Sequence, residues 1–232
     1  NTLRRILLSS IQGYAITGIR VTSYAPDGSP KVITSEFEAI PEVAEDTPDI
    51  INSLKQVKLA LPGGEEEKVI VVEAKGPGKL TAKDLEVDDT IQVMNKDLEI
   101  ATLMEKANLE LEIQIDLGRG YVPSERSEKY IEVIGTIPVD AVFTPVTKVR
   151  YAVENTRVGQ RTDYDKLILE VFTDGTIRPE DALAEAAKIA KDHLSIFINF
   201  DEESAADEGA LDEEDARVRA LLDTPVEELE LS

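Results

Sequence analysis

The chain has 232 residues with 47 acidic and 25 basic side chains, so its formal net charge at pH 7 is −22. This charge opposes general binding to nucleic acid, whose affinity comes largely from cations that neutralise phosphates. The absence of cysteine excludes disulfides and thiolate metal sites, and no apolar run approaches the roughly 18 residues needed to span a bilayer.

An amphipathic helix is predicted at the beginning, in NTLRRILLSS. At about 100° per residue, one apolar arc of roughly 200° contains Leu3, Ile6, Leu7, Leu8 and Ile11. A stripe that faces one core needs little more than about 100°, so this helix has more apolar surface than one core would use. Arg4 lies within the arc and is predicted to lay its stem along a packed surface. Arg5 lies on the polar side, where we expect it to face a partner.

The middle of the chain is predicted to be rich in strands. The clearest is NLELEIQIDLGRGYVP, in which Leu109, Ile113 and Leu117 belong to a period-two alternation typical of a half-buried strand. Further strands are predicted in YAITGIRVTSY, KVITSEFEAI, EKVIVVEAKGPGKL, IEVIGTIPVDAVF, TKVRYAVEN and KLILEVFTD. A short helix is predicted around Ile50–Lys55, and Pro48 limits where that helix can begin.

A longer helix is predicted in PEDALAEAAKIAKDHLSIF, since Pro179 suits a first helical position. A 4-3-4-3 spacing joins Leu183, Ala187, Ala190, Leu194 and Phe197. This spacing indicates a helix-packing seam whose small alanines permit close approach. The pattern alone favours a helix that covers its own sheet.

The end of the chain changes in composition. Residues 201–220 begin with DEESAADEGALDEED, which is typical of an acidic, disordered linker. Residues 221–232 turn apolar again and are predicted to begin a further, truncated domain. We therefore expect the sequence to be a fragment of a longer chain.

The sequence does not compose an active site. GPGKL and GRGYVP each lack residues that phosphate-loop and dinucleotide motifs require. His193 has no nearby partner for acid–base chemistry and is interpreted as structural. Asp163 and Asp165 form a possible metal pair, but carboxylates beside Arg161 and Lys166 are more often a turn with local ion pairs.

Five segments match a known family in order and spacing: NTLRRILLSS, GRGYVP, FTPV, VENTRVGQRTDYDKLILEVFTDGTI and PEDALAEAAKIAKDHL. On these motifs the chain resembles the alpha subunit of bacterial-type DNA-directed RNA polymerase from Asn1 to about Phe200. LLDTPVEELELS resembles the opening of that family's C-terminal domain. The resemblance implies an α+β fold. A discontinuous dimerisation subdomain, residues 1–12 and 145–200, would place two helices on an antiparallel sheet, and residues 13–144 would form a largely β insert domain.

The resemblance also implies partners. In the family, two alpha subunits dimerise through the first and last helices, and the dimer is the platform for the beta and beta-prime subunits. The implied dimer contact contains Leu3, Leu7, Leu183, Ala187, Ala190, Leu194 and Phe197. Arg5 and Leu8 match the stretch that docks the beta subunit, while Lys55 and Val139 match positions linked to beta-prime. By residue type alone, Arg5 and Lys55 are solvated surface residues and Val139 is a core residue.

The expected function is a non-catalytic assembly subunit of a nucleotidyltransferase that acts in transcription. The expected location is the bacterial cytoplasm, or the plastid stroma. We expect no catalytic residue, metal, cofactor, membrane contact or direct nucleic-acid contact from this stretch. Two alternatives remain: a stand-alone dimeric adaptor, and a metal-dependent enzyme that uses Asp163 and Asp165.

Overall fold

We describe a computed structural model of the chain over residues 1–126, 135–159 and 161–197. The segment Asn1–Ala190 is one compact unit, and residues 191–197 are the described part of a second unit. The predicted linker 201–220, the predicted further domain 221–232 and the last residues of the predicted dimerisation subdomain lie outside the described residues. The α-helices are α1 (Thr2–Ser9), α2 (Thr47–Lys55) and α3 (Pro179–Ser195), with short 3-10 helices at Ala82–Leu85 and Ser124–Arg126.

Each segment predicted to be a strand contains one, but KVITSEFEAI is a strand only as far as Ile33, and the strands at Leu59–Ala60, Gln92–Val93 and Glu99–Leu103 were not predicted. In chain order they are β1 (Gln12–Tyr24), β2 (Pro30–Ile33), β3 (Leu59–Ala60), β4 (Glu67–Lys75), β5 (Gly78–Thr81), β6 (Gln92–Val93), β7 (Glu99–Leu103), β8 (Asn108–Arg119), β9 (Tyr121–Val122), β10 (Ile137–Pro138), β11 (Ala141–Val142), β12 (Val146–Val158) and β13 (Arg161–Thr173). All the pairings between them are antiparallel. The α+β class expected from the resemblance is confirmed.

A five-stranded sheet forms the centre of the unit. Its order is β10-β1-β8-β4, and β2 also pairs with β1. The predicted alternation of β8 holds from Leu109 to Ile115 and then fails, because Asp116 is buried and Leu117 is half-buried. The register shifts between Ile16 and Gly18 of β1, and the Thr17 hydroxyl donates to the Asp116 carboxylate there. A β-bulge changes the direction in which neighbouring side chains point. Here it brings the polar side chains of Thr17 and Asp116 together at a buried place.

Helix α2 begins earlier than predicted. It includes Pro48 in its first turn, where no intrahelical N–H bond is required, so the proline is compatible with the helix. Ile50, Ile51 and Leu54 are buried against the central sheet. The last residue, Lys55, is half-buried at the edge of this packing.

The buried side chains form two main clusters. The larger joins the central sheet to α2, the first 3-10 helix and the strand pairs β3–β6 and β5–β7, and contains residues from Ile16 to Val139. The smaller contains Leu7, Ile11, Val146, Val149, Ala182 and Ala186. A minor cluster of Ala15, Ala141 and Phe143 is separate from both. The first and last helices therefore share a core with the β12–β13 hairpin, apart from the core of the central sheet.

Candidate docking surfaces

Helix α1 presents both of its arginines to solvent. Leu7 is completely buried in the smaller cluster, while Leu3 and Leu8 are half-buried at its margin. Arg4 and Arg5 are both exposed, and no ion pair to another described residue holds either guanidinium. The prediction that Arg4 packs along a surface is therefore wrong, because the apolar arc is wider than the core beneath it. The placement of Leu7 also corrects its assignment to the dimer contact, since its own chain encloses the side chain.

Helix α3 packs through a line of residues beside the predicted seam. Ala182 and Ala186 are fully buried against the smaller cluster. Ala187 is exposed, and Leu183 and Ala190 are half-buried. Successive helical residues are about 100° apart, so the predicted seam lies beside the buried line. Leu183 still packs against the smaller cluster, whereas Ala187 faces outward. The small residues that seat α3 on its own sheet are thus different from those that the 4-3-4-3 spacing selected.

The described residues after Ala190 include large apolar side chains in solvent. Leu194 is 63% exposed, Ile196 75% and Phe197 80%. Leu194 and Phe197 belong to the predicted seam, whereas Ile196 does not. Apolar side chains exposed one after another in this way are typical of a protein contact rather than of a solvated surface.

The β12–β13 hairpin extends beyond the core that it shares with the helices. The cross-strand pair Tyr151–Leu169 and the pair Val153–Leu167 lie on the face where Val149 is buried. Exposure rises along this face, and Val153 and Leu167 are each 58% exposed. The described parts of α1 and α3 therefore cover only the base of the hairpin.

Lys55 and Val139, for which the resemblance implies a beta-prime contact, lie near each other in space, although they are far apart in the chain. The ammonium group of Lys55 donates to Oδ2 of Asp140 at 2.9 Å, and both side chains are 31% exposed. Asp140 directly follows Val139. The N–H of Ser124 donates to Oδ1 of the same carboxylate at 2.9 Å. We call the contact of Lys55, Asp140 and Ser124 the carboxylate latch.

The latch strongly lowers the pKa of the Asp140 carboxyl group. The hydrogen bond from Lys55 and the backbone N–H of Ser124 lower the pKa of Asp140 to about 2, against 3.8 ordinarily. Both stabilise the charged form, and they outweigh the partial burial, which favours the neutral form. Asp140 is therefore ionised, and bonded on both oxygens, at neutral pH.

Val139 is a core residue. Its exposure is 1%, it belongs to the larger cluster, and its N–H donates to the carbonyl of Thr17 at 2.8 Å. The side chain cannot reach another protein without leaving the core. Its assignment as a beta-prime contact is therefore corrected, and the interpretation by residue type was the right one.

The predicted metal pair gains no support. Asp165 is exposed, and the side chain of Asp163 lies outside the described part. Among the described residues, no group of three or more His, Asp or Glu side chains could hold a metal ion. Within the same residues, no helix combines the length and apolarity needed to cross a membrane.

Comparison with known proteins identifies the family. A family profile described as the RNA polymerase Rpb3/RpoA insert domain matches residues 16–144. Over its whole length the chain is 49% identical to the DNA-directed RNA polymerase subunit alpha of Treponema pallidum, covering 66% of that protein. It is 52% identical to the subunit of Leptospira biflexa and 45% identical to that of Carboxydothermus hydrogenoformans, covering 69% and 71% of them. The chain belongs to the family of DNA-directed RNA polymerase alpha subunits. It spans about two thirds of the length of these relatives.

The structure also shows surface residues that sequence patterns did not single out. Tyr121 and Val142 form a cross-strand pair between β9 and β11 and are 59% and 47% exposed. The Thr144 hydroxyl donates to the carbonyl of Leu8 at 3.5 Å, which ties the segment after β11 to the end of α1. Strands of two residues leave no periodic signal, so only the tertiary structure reveals this pair. Asp140 was missed because its partner is far away in sequence.

Proposed function

We propose that the chain is a non-catalytic assembly subunit of DNA-directed RNA polymerase. It would homodimerise and provide the platform on which the beta and beta-prime subunits assemble. The observation that carries this proposal is membership of the alpha-subunit family over the entire chain. The subunit would act within a nucleotidyltransferase complex in the cytoplasm and contribute no catalytic residue of its own.

The dimer contact that we propose lies on the outward side of α3. Its residues are Leu183, Ala187, Ala190 and Leu194 of α3, Phe197 just after the helix ends at Ser195, and Leu3 of α1. The exposure of Ala187 and Leu194 supports this, because neither is taken up by packing in the described part of its own chain. Small residues in the middle of the seam let two helices approach closely.

The beta-subunit contact that we propose is the outer surface of α1. Arg5 is exposed and Leu8 is half-buried beside it, so a cation and an apolar side chain share one surface. In a chain of charge −22, an exposed arginine with no ion pair to another described residue is suited to charge-assisted hydrogen bonds with a partner's carboxylate. Arginine is also enriched at protein interfaces.

The domain division that we propose separates residues 1–12 and 145–200 from the insert, residues 13–144. The separation of the two main clusters supports it, since the smaller draws only on α1, Ile11, the β12–β13 hairpin, Ile177 and α3. The contacts that we propose with a second alpha copy and with the beta subunit then both lie on the first of these two parts, whose core contains α1 and α3.

Ordered reconstitution tests the proposal. The full-length protein, carrying an affinity tag, is mixed with the beta subunit and then with the beta-prime subunit. We expect a dimer that retains first beta and then both large subunits. A monomeric mass, or failure to retain beta, would contradict the assembly role.

The two alternatives predict other results. A stand-alone adaptor would dimerise and retain neither large subunit. A metal-dependent enzyme would bind a divalent cation at Asp163 and Asp165, which calorimetry with Mg²⁺ and Mn²⁺ detects. The family found by comparison favours neither alternative.

A further inference from the structure

Strand β4 is the last strand on one side of the central sheet. One of its edges is bonded to β8, and no described strand pairs with the other edge, which we call the open edge. Just beyond the two ends of β4, the N–H of Gly76 donates to the carbonyl of Ala107, and the N–H of Leu117 donates to that of Glu66. Antiparallel residues alternate between bonded and non-bonded pairs. The even-numbered residues of β4 therefore use their backbone groups to bond β8.

The odd-numbered residues of β4 direct their backbone groups to the open edge. Among them are Val71, Glu73 and Lys75, whose N–H and C=O groups make no hydrogen bond to another described residue. An edge of this kind can accept a further strand, because its unpaired groups match those of any extended backbone. The space and the charge beside the edge decide which strand would fit.

A groove of about 360 Å³ lies along the open edge. Residues 71–75 of β4 and residues 78–80 of β5 both line it. Five residues of strand are about 17 Å long, so the groove matches an extended peptide of similar length. The lining side chains of Val72, Ala74 and Leu80 are buried, and they give the groove an apolar floor.

The β5 side of the groove also has unpaired backbone groups. Lys79 lies opposite Thr102 in the pairing of β5 with β7. Thr102 uses its backbone on its other side, where its N–H donates to the Glu45 carboxylate at 2.6 Å and its carbonyl accepts from the Ala44 N–H at 3.1 Å. Lys79 and Thr102 are thus a non-bonded pair, so the N–H and C=O of Lys79 point away from β7. A strand in the groove would find hydrogen-bonding groups on both sides.

The outer face of the sheet beside the open edge is acidic. Glu73 lies directly opposite Glu110 of β8, an arrangement of like charges that destabilises a sheet. Lys75 pairs with Glu73 at 3.5 Å, and Arg20 pairs with Glu112 at 3.3 Å. Glu110 has no ion pair with another described residue. A basic side chain from a partner would relieve this repulsion.

The two faces of the edge together specify the pattern of the strand that fits it. Successive side chains of a strand point to opposite faces. Every second side chain of an added strand would therefore lie on the apolar floor of the groove. The others would lie on the outer face, beside Glu73 and Glu110, where lysine or arginine is favoured by charge.

We infer that the groove between β4 and β5 binds an extended segment of another protein, which adds to the open edge as a strand and alternates apolar with basic side chains. The inference goes beyond the proposed assembly function. None of the residues that line the groove belongs to the contacts that we propose with a second alpha copy or with the beta subunit.

A peptide titration tests the side-chain pattern. The probe is a fluorescent, end-capped peptide of six residues that alternates lysine with valine, and anisotropy measures its dissociation constant for the full-length protein. The control peptide has three lysines followed by three valines, so its composition and charge are the same. We expect saturable binding of the alternating peptide and binding of the control that is about tenfold weaker. Equal affinities would mean that the general negative charge of the chain holds both peptides, and would overturn the inference.

Methylation of the peptide backbone tests strand addition without altering the protein. One version carries N-methyl groups on the lysine amides and the other on the valine amides. These two sets of N–H groups point to opposite edges of an extended peptide. At least one version should bind about tenfold more weakly than the parent peptide, because it cannot donate to β4. If neither methylated version loses affinity, no strand is added and the inference is wrong.

Two variants test the protein side. Val71→Pro removes an N–H from the open edge, a position where a strand tolerates proline, and should weaken peptide binding about tenfold. Glu73→Lys should weaken it roughly fivefold. Glu154→Lys makes the same change of charge at an exposed residue of β12 and should have no effect. Equal losses for Glu73→Lys and Glu154→Lys would contradict a site at β4.

Amide hydrogen exchange keeps the test decisive even if Val71→Pro does not fold. In the unaltered protein, the bound peptide should slow exchange at Val71 and Glu73. Val72 and Ala74 are already bonded to β8 and serve as internal controls whose exchange should stay the same. Unchanged exchange at Val71 under saturating peptide would overturn the inference.

A second copy of this chain is the other strand that could occupy the open edge. Sedimentation of the full-length protein would then show a mass that rises above the dimer with concentration, and Val71→Pro would abolish that rise. This outcome would overturn the inference. The peptide titration needs no large polymerase subunit, so its result is separate from that of the reconstitution. Peptide binding without capture of the beta subunit would defeat only the assembly function.

Discussion

Ala186 is completely buried in α3, and Ala187, the next residue, is exposed. The pair marks the boundary between the side of the helix that seats on its own hairpin and the side that we propose to contact a second copy. A rotation of about 100° separates the two side chains. A substitution at Ala187 can therefore alter the dimer without altering the core.

Ala187→Glu is expected to convert the dimer into a folded monomer. A charge buried without a partner costs several kcal/mol, so about 3 kcal/mol would weaken association roughly a hundredfold. Sedimentation of the full-length protein measures the mass, and circular dichroism checks the fold. Lys188→Glu places a carboxylate on an exposed neighbour and serves as the control. An unchanged dimer for Ala187→Glu would exclude the outward side of α3 from the contact.

Arg5→Ala is expected to weaken capture of the beta subunit and to leave the dimer intact. Hydrogen bonds to a charged group contribute about 1.5 to 3 kcal/mol, which corresponds to a loss of roughly ten- to a hundredfold in affinity. Arg4→Ala removes the same charge from the same helix and should change the affinity by less than about threefold. Equal losses for both variants would mean that only the general charge of α1 matters.

Asp140 should make the stability of the protein depend on pH at the acid end. The pKa of Asp140 in the folded state is lowered to about 2. Its contribution to folding stability is therefore complete above the ordinary pKa of 3.8 and is lost as pH falls towards 2. The shift corresponds to about 1 to 2 kcal/mol after allowance for partial exposure.

Urea unfolding of the native protein and Asp140→Asn at pH 7 and pH 3 checks this. The difference in the free energy of unfolding between the two proteins should be larger at pH 7 than at pH 3. Asp88, whose pKa is also lowered to about 2 by Thr90 and Lys68, is present in both and does not affect the comparison. A difference that stays constant with pH would show that the carboxylate is not stabilised by the latch.

Gly118→Ala is expected to destabilise the fold by about 2 kcal/mol or more, because overpacking a core is costly. A methyl group at residue 118 would lie 2.7 Å from three atoms of the Phe143 ring, whose burial in the minor cluster leaves it little room to move. Thermal unfolding measures the effect. Gly78→Ala, where a methyl group would meet nothing within 4 Å, is the matched control. Equal melting temperatures for the two variants would contradict this packing.

Much of the local structure could be predicted because it depends on periodicity. The alternation from Leu109 to Ile115 specifies a half-buried strand wherever that segment lies, and β8 is found there. The apolar spacing around Leu7 and the first-turn chemistry of Pro179 likewise predict α1 and α3. The prediction failed at Asp116, since a bulge in β1 is a property of the strand pair and not of either sequence alone.

The sequence by itself determined the helices, most of the strands, the acidity and the family motifs, since each is written in neighbouring residues. Only the tertiary structure decided which side of α3 is buried, that Leu7 and Val139 are enclosed by their own chain, and that Lys55 meets Asp140. The physical reason is distance along the chain. A salt bridge between residues 85 positions apart, or the choice between two adjacent faces of one helix, depends on how separate elements pack. No local pattern contains that information.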